Sequence, residues 1–265
     1  MKYVIIGSGG MGMFSFMGRM KMLQDNGKFD DLKEISGASA GALMALLYTV
    51  SKGNIQDIFD NCMTIRGFDD KINLLELFDK YGLIDTLEFF EKVMKFCENY
   101  CSRREPTFQE LYNHNPIKIH IAAFCVDNTR TDYFSVDTHP NMSIVKAVKA
   151  SMAIPLVFNS CIIDERIYID GAVQEDIPGL PFIDKKPSDI YAMSIKVDGN
   201  KNQKVTDLKS YISKIYKLLL TNRIQYDIPQ VSINTLGKDT LDFNMNDKTK
   251  MELFVSGYLP NTAIP

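Results

Sequence analysis

The sequence predicts an α/β fold, a mainly parallel central sheet flanked by helices, carrying a helical insertion. Three observations support this. Two strand, glycine turn and helix units follow one another within the first 50 residues; strands return after residue 113 in alternation with helices; and residues 54 to 113 between them show a helical pattern with no clear strand.

Taken in order, "YVII" is a β-branched run that stops at "GSGGMG", and Phe14 to Leu23 has helical composition. "LKEIS" is a second short strand, "GASAG" its turn and Ala42 to Val50 the helix that follows. In the insertion, Leu83, Leu87, Phe90, Val93, Met94 and Cys97 recur at helical spacing. Its apolar residues Leu83, Ile84, Phe89, Phe90 and Phe96 suit either a covered core face or a lid over an apolar groove, and the covered face accounts for most of them. "IKIHIAAFCVD" and "TDYFSVD" are strands, "SIVKAVKAS" a helix, and "SCIIDERIYIDGA" a hairpin. "DIYAMSIKV" is a buried strand, "DLKSYISKIYKLLLTNRI" a helix, "QVSINTL" a strand, and "NDKTKMELFVSGY" a closing helix that starts at an Asn or Asp cap. With no repeat, low-complexity tract or linker in the pattern, residues 1–265 are expected to form one domain.

Composition narrows the function classes. The 265 residues are 45% apolar and 24% charged, the mix of a globular protein with a sizeable core. A net charge of −3, with Lys and Arg scattered, offers no footprint for a nucleic-acid backbone. Five cysteines without a CxxC pair fit neither a disulfide framework nor a zinc site. The start, "MKYVIIGSGG", is too short an apolar run for a secretory signal, and no stretch is long and apolar enough to span a bilayer. A cytoplasmic protein is expected, one that meets lipid only at a surface.

Three constellations could carry chemistry. "GASAG", Gly37 to Gly41, fits the G-x-S-x-G elbow, in which a serine on a sharp strand-to-helix turn presents its hydroxyl above the sheet edge. Ser39 would then stand at a helix N-terminus, whose free N–H groups favour the negative charge of an acyl-transfer intermediate. "GSGGMG", Gly7 to Gly12, satisfies G-x-G-x-x-G and has two readings. It could cradle a dinucleotide pyrophosphate, with Asp30 or Asp31 on the ribose, or its amides could hold the oxyanion of an acyl hydrolase. In "YIDGA", Asp170 ends a strand before Gly171 and Ala172, either as plain turn chemistry or as a general base. The only histidines are His114, His120 and His139, and none follows Asp170, so the Ser, acid, His chain order of α/β-hydrolases is not met. A serine activated directly by a carboxylate remains.

These residues resemble the patatin-like phospholipase family, which combines a glycine-rich oxyanion loop, a G-x-S-x-G nucleophile and a D-G-[GA] motif in this order. "AVKASMAIPLVF" resembles the family's segment of small residues ahead of the aspartate, and "MELFVSGY" its closing helix. The resemblance implies a three-layer α/β/α domain acting as a lipid acyl hydrolase on a lipid ester at a membrane or lipid surface. It implies a Ser39–Asp170 dyad, an oxyanion hole from Gly9, Gly10 and Met11 with Ala40, and neither metal nor organic cofactor. Met11, Met13, Met17, Met20 and Met22 could line an adaptable acyl pocket or simply fill the core. Two positions depart from the family. Met11 or Gly12 stands where many members carry Arg or Lys, which bears on substrate more than on catalysis. Asp176 stands where the family often has asparagine.

Overall fold

The computed structural model describes residues 1–65, 74–196, 204–206, 208–221 and 223–259. Strand β1 (Tyr3–Ile6) leads through a single 3₁₀ turn, Gly10–Gly12, into helix α1 (Met13–Asp25). β2 (Glu34–Ala38) and α2 (Ala40–Val50) repeat the unit with Ser39 alone between them. Every residue of α2 is buried, the expected place for a helix that is apolar on all sides.

The helical stretch contains α3 (Ile55–Met63), α4 (Leu74–Lys80), α5 (Leu87–Cys101) and α6 (Phe108–His114). The Asn54 side chain caps α3, and Thr107 with Glu110 forms a full capping box on α6, each cap worth about 1 kcal/mol. Between α4 and α5 lies a strand the pattern did not predict, β3 (Gly82–Ile84). It pairs in parallel with another short strand, β6 (Leu156–Phe158), as a separate two-stranded sheet. Three residues are too few to display a period of two, so the flanking helical spacing concealed it.

The remaining elements are β4 (Lys118–Cys125), β5 (Arg130–Phe134), α7 (Ile144–Ser151), β7 (Cys161–Ile163), β8 (Arg166–Asp170), β9 (Ile190–Lys196), α8 (Leu208–Leu219), β10 (Gln230–Asn234) and α9 (Asp247–Tyr258). The hairpin expected at 160–172 is β7 and β8, turned by Asp164 and Glu165, both at positive φ as a two-residue primed turn requires. Residues 66–73 of the expected insertion, the last residue of the expected strand "DIYAMSIKV", and residues 207 and 222 of the expected helix "DLKSYISKIYKLLLTNRI" lie outside the described residues.

The main sheet runs β10-β9-β1-β2-β4-β8-β7, with β5 also on β4. From β10 to β4 all neighbours are parallel; β5, β8 and β7 add antiparallel pairs. The architecture is therefore a mixed α/β sheet, mainly parallel and flanked by helices. β1 divides the core: Val4 and Ile6 face the larger cluster with α1 and α2, while Ile5 packs with Ile177, Phe182 and Ala192 on the other face.

Register on β4 positions the site. β2 pairs with Lys118 to Ala122 and β8 with Ala123 to Cys125, while β5 spans Ile121 to Cys125. Since β5 overlaps both, β2 and β8 must share the opposite edge of β4. They meet there with their C-terminal ends facing: Ala38 lies opposite Ala122, and Asp170 opposite Ala123.

Candidate active site

The residue after Ala38 is Ser39, which the meeting of strand ends places beside Asp170. Its backbone sits at φ 55° and ψ −122°, a conformation that costs a non-glycine residue about 1–3 kcal/mol. The flanking glycines make so sharp a turn possible. A Cβ on Gly37 would lie 2.4 Å from the Gly41 carbonyl oxygen, and one on Gly41 would lie 2.1 Å from that of Ile6. The Ser39 N–H donates to Ser151 Oγ at 2.9 Å, and that hydroxyl donates to the Ala122 carbonyl at 2.6 Å, so α7 pins the elbow to β4.

The Ser39 hydroxyl donates to Asp170 Oδ2 at 2.7 Å. Asp170 Oδ1 accepts the Ala172 N–H at 2.8 Å, the bond that shapes the Asp170, Gly171 and Ala172 turn. Asp170 is wholly buried, and burial pushes its carboxyl up to about 7; the Ser39 hydroxyl, the Ala172 N–H and the Arg223 charge pull it down, while Asp176 adds to the rise. Tyr216 of α8, also buried, faces this cluster, and burial together with the Asp170 charge holds its hydroxyl well above the usual range.

In the glycine loop, four amides are engaged by protein carbonyls. Gly7 donates to Met193 at 2.9 Å, Ser8 to Asp176 at 3.2 Å, Met11 to Thr240 at 2.8 Å and Gly12 to Gly9 at 2.8 Å. Gly10 has φ 48°, and a Cβ there would stand 2.3 Å from the Thr240 carbonyl oxygen. The Met11 amide, expected as an oxyanion donor, is thus held by the segment after β10. Four of the six loop amides are therefore already paired within the chain.

Ser39, Ala40, Gly10 and Met11 line one partly open cleft. Its walls are apolar: Met13, Leu43, Phe89, Phe90, Ile154 and Phe243 contribute. Phe89 and Phe90 thus face a cleft, whereas Leu83, Ile84 and Phe96 are buried in the main core. Met11 and Met13 line the cleft, Met17 and Met20 are core, and Met22 is packed partly exposed against it.

A family model described as "Patatin-like phospholipase" matches residues 4–183, about two thirds of the chain. The chain belongs to the patatin-like phospholipase family. It is 23% identical over 266 residues to "Probable lipid hydrolase 463L" of Invertebrate iridescent virus 6, spanning 97% of this chain and 86% of that protein. It is 24% identical over 275 residues to "Uncharacterized protein R571" of Acanthamoeba polyphaga mimivirus, spanning 97% and 91%. Among solved structures, VipD from Legionella pneumophila shares the fold at a TM-score of 0.61 and 15% identity, over 97% of this chain and 65% of VipD.

Several neighbours of the site in this patatin-like chain come from beyond residue 183: Tyr216, Arg223 and Thr240. No motif announced them, because each acts through tertiary packing. Ser151 falls inside the small-residue segment "AVKASMAIPLVF", which was the available signal for it. The histidines lie elsewhere. His114 bonds the Val50 carbonyl at 2.9 Å, His120 the Glu34 carboxylate at 2.8 Å, and His139 packs on Phe134. Among the described residues no helix is long and apolar enough to cross a membrane.

Proposed function

We propose that this chain is a lipid acyl hydrolase of the phospholipase A or lysophospholipase type, acting through Ser39 as nucleophile and Asp170 as its base. The observation that carries this is the 2.7 Å bond from the Ser39 hydroxyl to a buried carboxylate at the turn of a nucleophile elbow. Asp170 takes the Ser39 proton as Oγ attacks the ester carbonyl. The tetrahedral oxyanion is held by the N–H groups of Gly9 and Gly10, with Ala40 at the N-terminus of α2. Collapse expels the alcohol, which takes the proton from Asp170. Water, deprotonated by the same carboxylate, then releases the acid. The apolar cleft beside Ser39 suits an acyl chain, and the reaction belongs at a lipid surface, where such a chain is presented.

A fluorophosphonate probe tests the assignment: covalent labelling located at Ser39 by peptide mass spectrometry is expected, and an unlabelled Ser39 in folded protein overturns it. Asp170 must be ionised to act, and its pKa stands near 7. Turnover of a short-chain aryl ester is therefore expected to rise about tenfold per pH unit below 7 and to level off above it. A flat profile from pH 5 to 8 would show that no group titrating near 7 controls turnover.

No imidazole lies on this path. Replacing His114, His120 or His139 singly by Gln is expected to leave kcat within about threefold of wild type, where loss of a triad histidine costs several orders of magnitude. His120 is the informative position, since it lies on β4, two residues before Ala122 in the strand that joins the two halves of the site. A collapse of kcat in a folded His120→Gln protein would restore a triad.

A further inference from the structure

Asp176 is bound on two sides. Its Oδ1 accepts the Ser8 hydroxyl at 2.6 Å, and its backbone carbonyl accepts the Ser8 N–H at 3.2 Å, so it grips the residue just before Gly9 and Gly10. The same Oδ1 accepts Arg223 Nη1 at 2.8 Å, in a pair whose side chains are each under a fifth exposed. Arg223 belongs to a strap after α8 that is bonded to the same turn, through the Ile224 N–H to the Gln174 carbonyl at 2.7 Å and a bridge between Glu175 and Ile224.

We infer that Asp176 and Arg223 form an ionic clamp that positions the glycine loop beside Ser39, with Arg223 as the cation that balances the enclosed carboxylate. An asparagine could hold Ser8 by itself, because its amide oxygen accepts the same hydroxyl and carries no charge to desolvate. An aspartate this enclosed needs a cation, since removing one partner of an enclosed pair leaves an uncompensated charge. Arg223 lies outside residues 4–183, the span the family model matches. Neither residue touches the substrate. They act through Ser8 on the donors that face the oxyanion, so the inference rests on the hydrolase reading for its effect on rate but not for its effect on the loop.

The test compares Arg223→Met, Asp176→Asn and the double variant, each as the full chain. Two readouts are used, ester kinetics and hydrogen exchange at the amides of Gly7 to Gly12. Arg223→Met is expected to lower kcat by about 10- to 100-fold with KM little changed, as for an interaction felt in the transition state, and to speed exchange in the loop. Asp176→Asn keeps an acceptor for Ser8 but leaves the Arg223 charge without its carboxylate, so a partial loss in both, smaller than that of Arg223→Met, is expected. In the double variant the amide needs no cation, and both kcat and protection should return to within a few-fold of wild type. Wild-type exchange and kcat in Arg223→Met, or a double variant no better than that single one, would overturn the clamp. If wild type hydrolyses no ester, the exchange readout still decides the clamp, while the hydrolase reading fails separately.

Discussion

Ser39→Ala is expected to abolish ester hydrolysis, lowering kcat by about 10⁴-fold or more, while the protein melts at or near the wild-type temperature. The loss follows from deleting the only nucleophile assigned to the site, and what remains is the binding and oxyanion contribution. Stability is little affected because the missing atom is one hydroxyl oxygen and the flanking glycines that shape the turn are unchanged. The elbow adds a second arm. Ser39→Gly should be equally inactive but more stable than Ser39→Ala, since glycine accepts φ 55° without the cost an L-residue bears there, a difference of about 1 kcal/mol. Thermal melts and turnover of a short-chain aryl ester measure both. Wild-type turnover in either variant would show that the nucleophile lies elsewhere.

Asp170→Asn should separate activity from stability in a pH-dependent way. The amide cannot accept the Ser39 proton, and kcat is expected to fall about 10³- to 10⁴-fold. Its effect on folding has a defined sign. The carboxyl titrates near 7 in the fold against 3.8 as its ordinary value, so between those limits the folded chain holds a proton that the unfolded chain has lost. Stability attributable to this group therefore falls as pH rises from about 4 to about 7, by at most about 4 kcal/mol at roughly 1.4 kcal/mol per pKa unit. Asparagine escapes that cost. The variant should melt higher than wild type at pH 8, with the gap closing as pH falls toward 4. A gap that is constant or widens toward acid pH would show that Asp170 is ionised in the fold well below neutrality.

Most of the architecture was legible because its signals are local. The β-branched "YVII", the glycine turns and the apolar run from Ala42 to Val50 each dictate an element without help from distant residues, and the hairpin around Asp164 was delimited by its strands. The Ser39, Gly7 to Gly12 and Asp170 motifs marked the candidate site for the same reason: their small residues are required by close backbone contact. β3 escaped notice because a three-residue strand has no periodicity. Tyr216, Arg223 and Thr240 escaped notice because a tertiary side-chain contact, or a carbonyl against a glycine, leaves no mark in local composition, and for Ser151 only its small-residue segment was marked. The engagement of the Met11 amide by Thr240 is a case in point: it depends on a segment more than 200 residues away along the chain.

The end-to-end meeting of β2 and β8 on one edge of β4 also ties the site to folding. Ser39 and Asp170 are 131 residues apart, and the Ser39 and Ser151 contact that fixes the elbow spans 112. Contacts of such sequence separation form only after long loops have closed, which is the slow part of folding. A partly folded chain with β1, α1, β2 and α2 in place would hold Ser39 with no carboxylate beside it. If Ser39 and Asp170 act as proposed, competence is an all-or-none property of the assembled sheet, reached only when both strand ends have met.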